Sequence, residues 1–172
     1  MIPTKILMTI ASASVLMAEA HALTPRQGQI LFKVPANAAW TDTGLDVRAG
    51  DMIHFAASGN VSLQRGNPEA FCGPQGLDMQ TLQQPLTDKN LGALIGKVVR
   101  LISVEVDEET KEEIRNELVE IFFLGAENSV DIPLEGRLHL GINELVVEDN
   151  LGEFEVTMTL EKRRSQDPGS CP

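Results

Sequence analysis

From Gly152 to Leu160 the chain alternates without a break, with Phe154, Val156, Met158 and Leu160 on one side and Glu and Thr on the other. A period of two is the signature of a strand with one dry face. A dry face on a strand needs a second layer to cover it, so this run demands a partner sheet. The same signal recurs. Ile30, Phe32 and Val34 point one way within Gln29–Val34, and Leu138, Leu140 and Ile142 do so within Arg137–Ile142. Met52–Ser58 is apolar on both faces, as a central strand would be, and Val61 and Leu63 extend it past Gly59-Asn60. Leu45–Arg48 reads as a short strand ending at the turn Ala49-Gly50-Asp51, and Leu91–Val106 as one strand or two. Phe122–Phe123 and Ser129–Pro133 add short strands. Many short strands separated by turn residues predict an all-β domain, a β-sandwich or jelly roll. No internal repeat is visible.

Two segments break the pattern. Ile114, Leu118 and Ile121 recur at helical spacing after Asp107, a residue suited to an N-cap, with Glu108 and Glu109 in the first turn. This predicts a short amphipathic helix inserted over 107–121, with a charged hairpin as the alternative. Residues 64–90 are rich in Gly, Pro and Gln and read as a long loop. Loops of that length inside a compact domain are either functional or mobile surface insertions.

The first residues look like an export signal. Lys5 gives a positive start, Ile6–Met17 a short apolar stretch, and Ala18, Ala20 and Ala22 the small residues that signal peptidase requires. The expectation is a cleaved leader over 1–22, a domain over 23–162 and a polar tail over 163–172, in a secreted or periplasmic protein. The competing reading of the leader is a buried N-terminal helix. The apolar run is too short to span a membrane, and no later stretch is long enough. Export makes a disulfide between Cys72 and Cys171 the favoured state of the two cysteines over two separate thiols. It would close a loop of about a hundred residues, an entropic effect of about a few kcal/mol.

A formal charge of −11 disfavours nucleic acid and anionic lipid as partners. Catalysis finds no support. His54 and His139 sit on predicted strands, the pair Glu112/Glu113 lies in the solvated 107–121 segment, and no nucleophile, metalloprotease or phosphate-loop motif occurs. The expectation is a protein that is not an enzyme. The acidic stretch Asn143-Glu144-Leu145-Val146-Val147-Glu148-Asp149-Asn150-Leu151-Gly152 joins two strands. Calcium takes six to eight oxygen ligands from carboxylates, amides and backbone carbonyls. Adjacent Asp149 and Asn150 could face one ion, and Gly152 permits a sharp exit; the plain alternative is a solvated turn.

Five motifs, in order, carry a family resemblance: Ala-Gly-Asp at 49–51, Ala-Ala-Ser-Gly at 56–59, Gly-Pro-Gln-Gly at 73–76, Gly-Ala-Leu-Ile-Gly-Lys at 92–97, and Asp-Asn-Leu-Gly-Glu-Phe-Glu-Val at 149–156. On these motifs the chain resembles, from about Val34 to Leu160, the calcium-dependent galactose-binding bacterial lectins of the PA-I galactophilic type. The resemblance implies a jelly-roll, galactose-binding-domain-like sandwich with calcium at one end and a glycan of galactose type bound partly through the ion. It places metal ligands at Asp149 and Asn150, at Glu144 and the Asn143 before it, and at backbone carbonyls near Leu63 and at Val146 or Val147. Sugar contacts fall on Gln80 and Gln83.

Three departures matter. Glu144 stands where the family has Asp, lengthening the ligand by one methylene. Gln80 stands where it has His, keeping a hydrogen bond but no aromatic face. Residues 101–121 hold an acidic insertion. The expected function is therefore an exported, calcium-dependent carbohydrate-binding protein. Its alternative is a non-catalytic interaction or structural domain that has lost sugar binding. Self-association into a homo-oligomer is open.

Overall fold

The computed structural model describes residues 28–161. The leader, the polar tail and Cys171 lie outside the described residues.

Nine strands run in the order β1 (Gln29–Pro35), β2 (Trp40–Val47), β3 (Met52–Ser62), β4 (Phe71–Cys72), β5 (Leu94–Val106), β6 (Glu113–Phe123), β7 (Glu127–Asp131), β8 (Gly136–Ile142) and β9 (Leu151–Glu161). They form two antiparallel sheets. One has the order β1-β9-β3-β4, with β7 pairing β3 beside β4; the other is β2-β8-β5-β6. The predicted β-sandwich is the observed fold.

The alternation reads through to the packing. Phe154, Val156 and Met158 of β9 are buried against Ile53 and Phe55 of β3 and Val34 of β1. The opposing sheet supplies Leu138, Leu140 and Ile142 from β8 with Leu94 and Val98 from β5. Met52–Ser58 is indeed a central strand: β3 has β9 along its whole length on one side and β7 or β4 on the other. β5 is one strand of 13 residues, not two.

The helix expected over 107–121 is not formed; the segment is the charged hairpin. β6 pairs with β5 from Ile95↔Phe123 to Val106↔Glu113, with a bulge between Leu101 and Ser103. Glu113–Glu120 is exposed on both faces, so an amphipathic helix here would have no core to cover. The protruding half of β5 offers a free backbone edge instead, and Ile114, Val119 and Ile121 are β-branched residues that suit a strand. Asp107 does cap backbone amides, but in a turn. Its Oδ1 accepts from the N–H groups of Glu109 (2.9 Å) and Thr110 (2.7 Å), while Lys111 takes a φ of 60° to reverse the chain.

Truncating the inner layer should be costly and truncating the hairpin should not. Phe154→Ala, fully buried, is expected to lose about 3–5 kcal/mol in urea unfolding. Leu101→Ser, half exposed on the hairpin, should change stability by less than about 0.5 kcal/mol.

Candidate functional site

One end of the sandwich gathers most of the residues singled out from the sequence. Pairing of β3 with β9 puts Ser62 opposite Leu151 and Val61 opposite Gly152. Leu63, one residue past β3, therefore comes beside Asn150, one residue before β9. Gly152 is needed for this close approach: its φ is +90°, and a Cβ there would lie 2.6 Å from the Asn60 carbonyl oxygen.

Asn150 is 1% exposed. Its Nδ2 donates to Glu144 Oε2 at 2.6 Å and to the Ala36 carbonyl at 3.2 Å. Both partners are acceptors, which fixes the orientation of the amide. Its Oδ1 is left with no partner, one of only two such buried side-chain atoms among the described residues. An unpaired buried acceptor costs about 1–3 kcal/mol. An oxygen in that state, next to a carboxylate, has the chemistry to ligate a hard cation.

The electrostatics agree. Burial lifts the Glu144 carboxyl above its ordinary range, the Asn150 hydrogen bond partly offsets this, and the charge of Asp149 adds to the lift. Negative charge is thus concentrated at this end. Cys72, on β4, feels it too: burial first, and then the Glu144 charge, push its thiol up to about 11. Among the described residues, no group of three or more His, Cys, Asp or Glu side chains forms a metal cluster. A cation here would rely on Glu144, Asp149, the Asn150 amide oxygen and backbone carbonyls. That is a hard, all-oxygen set, suited to calcium rather than zinc.

The turn closes through Asn150 N–H donating to the Val147 carbonyl at 3.2 Å. This occupies Val147, whereas Val146 is exposed and lines a shallow pocket of about 460 Å³ with Thr81, Leu82, Gln83, Leu91 and Glu144. Asp149 accepts from the Arg65 N–H through its carbonyl (3.2 Å), leaving its exposed side chain at the loop surface. Of the two glutamines, Gln83 faces the pocket; Gln80 instead donates to the Asp88 carbonyl at 3.4 Å.

The Asn143 side chain does not join this group. It is fully buried, its Oδ1 accepts from Leu86 N–H at 2.8 Å, and its Nδ2 donates to the carbonyls of Leu86 (2.9 Å) and Asn90 (3.0 Å). It is a clamp that fastens the 80–90 loop to the end of β8. Gln84, which the sequence pattern does not single out, is the second clamp. Nearly buried, it donates to the carbonyls of Leu86 and Lys89 and accepts from Thr81. Nothing in the local run Gln83-Gln84-Pro85 distinguishes which glutamine turns inward. Together the two clamps hold one wall of the pocket against Glu144.

Among the described residues, His54 and His139 do not meet. His54 on β3 contacts Ser129 and Glu161 at the sheet surface, and His139 on β8 belongs to the other sheet and contacts the Arg137 carbonyl.

The two-sheet sandwich with an oxygen-rich pocket at one end is a lectin-like fold, on its likeness to a lectin domain of known structure. A solved structure described as the N-terminal domain of EclA, a PllA-like lectin, is similar to this chain with a TM-score of 0.53 and 25% identity. The match covers 78% of this chain and 98% of that one. No family model matches the chain, and no curated protein matches it.

Removing the first clamp should loosen the pocket wall. Asn143→Ala strands the Leu86 N–H and the Asn90 carbonyl, and is expected to cost about 3 kcal/mol. Amide exchange at Leu86 should accelerate beyond the global effect, while protection at Val156 falls only as global stability does.

Proposed function

We propose that this protein is an exported carbohydrate-binding lectin whose sugar site is completed by calcium. The observation that carries the reading is the unpaired, buried Oδ1 of Asn150, whose amide bonds Glu144, a residue that lines a pocket with Gln83 and Val146. Asn150 Oδ1, the carboxylates of Glu144 and Asp149, and the carbonyls of Leu63 and Val146 would hold the ion. Bound calcium supplies a Lewis-acidic centre for vicinal hydroxyls. The chain's own groups do the rest. Gln83 and Thr81 offer hydrogen bonds, and the exposed side chains of Leu82 and Val146 offer apolar walls to the C–H face of a saccharide. The likeness to a PllA-like lectin supports the sugar class, and the ordered motifs of the PA-I type support a galactoside.

A melting scan tests the metal. Calcium at 100-fold above Kd adds about 2.7 kcal/mol to the native state and should raise Tm by about 10 °C relative to chelator. Asn150→Leu and Glu144→Ala should each remove that shift; superimposable curves for the wild type would refute the site. The shift should also depend on pH. A carboxyl whose folded pKa is raised favours the protonated folded form, so its ionisation destabilises the fold as pH rises. Calcium binds only the ionised form, so its stabilisation should be full where Glu144 is ionised and shrink as the pH falls through its raised carboxyl range. A glycan array with and without calcium then tests the sugar.

The same reading puts the protein outside the cytoplasm, with residues 1–22 removed and Cys72 bridged to Cys171. Mass spectrometry of the secreted protein should find the chain starting at His21 or Leu23 and two hydrogen atoms lighter than the reduced form. A second reading, a domain that has kept the sandwich and lost its ligands, predicts no response to calcium or glycan in these assays.

A further inference from the structure

The hairpin of β5 and β6 runs on beyond the sandwich. Seven of the fourteen exposed large hydrophobic side chains among the described residues lie on it, between Leu101 and Val119. β6 is also an edge strand: one side pairs with β5, and the other meets no strand among the described residues. An open edge flanked by exposed apolar side chains is a template for another strand.

The residue pattern of β6 selects the occupant. Phe122 packs inward against Phe55, so Ile114, Asn116 and Leu118 share its face, and Glu113, Arg115, Glu117 and Val119 share the other. A second copy related by a two-fold axis through the sheet keeps both faces, so residues of like parity meet across the junction. Centred on Asn116, such an antiparallel pair sets Arg115 opposite the second copy's Glu117, and Ile114 opposite the second copy's Leu118, each contact made twice. Glu113 then faces Val119, and from Glu113 to Val119 no like charges oppose; the one like-charge pair, Glu120 with Glu112 of the second copy, falls at the flank, where Glu112 lies outside β6. Centring on Arg115 or Glu117 puts that charge against itself, and centring on Leu118 or Val119 pairs no charges at all.

We propose that two copies of this chain associate through β6, in the register centred on Asn116, joining their four-stranded sheets into one continuous sheet. The candidate sugar site is at the far end of β8 from this arm's root, because β8 runs from Gly136, opposite Val47 and next to Arg137, which faces Val99, to Ile142, which precedes the site loop. The dimer therefore leaves both pockets open.

Sedimentation of the purified protein tests this, with charge swaps as the probe. The wild type should be dimeric at about 10 µM. Arg115→Glu and Glu117→Arg should each weaken the dimer by about tenfold or more with unchanged Tm of the monomer, and the double swap should restore it to within about threefold. Asn116→Cys at the dyad should form a disulfide-linked dimer on mild oxidation, whereas Glu109→Cys at the hairpin tip should not. A wild type that stays monomeric at about 100 µM overturns the proposal, including the case in which the arm instead binds lipid vesicles or an extended peptide. So does a dimer indifferent to both single swaps, or a double swap that stays monomeric.

Discussion

The pairing of β3 with β9 is the interaction on which the rest depends. Eleven residues of one strand run opposite eleven of the other, from Met52↔Glu161 to Ser62↔Leu151. This ladder places Ile53 and Phe55 beside Phe154, Val156 and Met158 in the dry layer. It also ends where the chemistry begins. The residue after β3 and the residue before β9 are Leu63 and Asn150, so the register that builds the core also sets the geometry of the candidate site. A slip of one residue would turn both Phe154 and Asn150 to the wrong side. Core and site are therefore specified by the same pairing.

Around that ladder the site is held by polar contacts that the core cannot supply. Asn143 and Gln84 fasten an irregular loop through bonds to its backbone, which lets a Gly- and Pro-rich segment keep a defined wall. Asn150 does the opposite, leaving an acceptor unpaired where burial has already raised the cost of the Glu144 charge. Satisfied polar groups fix the scaffold, and the unsatisfied one marks where a ligand would act. The same distinction separates Asn143 from Asn150, two amides that look alike in the acidic stretch.

The strands were legible because alternation is local. Phe154, Val156 and Met158 on β9, and Leu138, Leu140 and Ile142 on β8, announce their buried face within a single run of residues. The 107–121 segment misled because its local signals are shared by two structures. Asp107 offers an acceptor to backbone amides at a helix start and at a tight turn alike, and Ile114 and Leu118 are four apart in a helix and on one face in a strand. What decided between them was the neighbouring edge of β5, which the sequence presents only as another apolar run.

By itself, then, the sequence determined that this chain forms a two-layer β structure, which of its residues face inward, and that oxygen donors cluster between β8 and β9. Each of those follows from side-chain chemistry repeated along a few consecutive residues. Tertiary structure alone decided that Asn143 is a clamp while Asn150 carries the unpaired oxygen. It also decided that Gln83 rather than Gln80 reaches the pocket, and that the charged insertion is a hairpin with an open edge. These depend on contacts between residues far apart in the chain, such as Asn143 with Leu86 or Asn150 with Ala36, and no local pattern encodes which distant partner a side chain will meet.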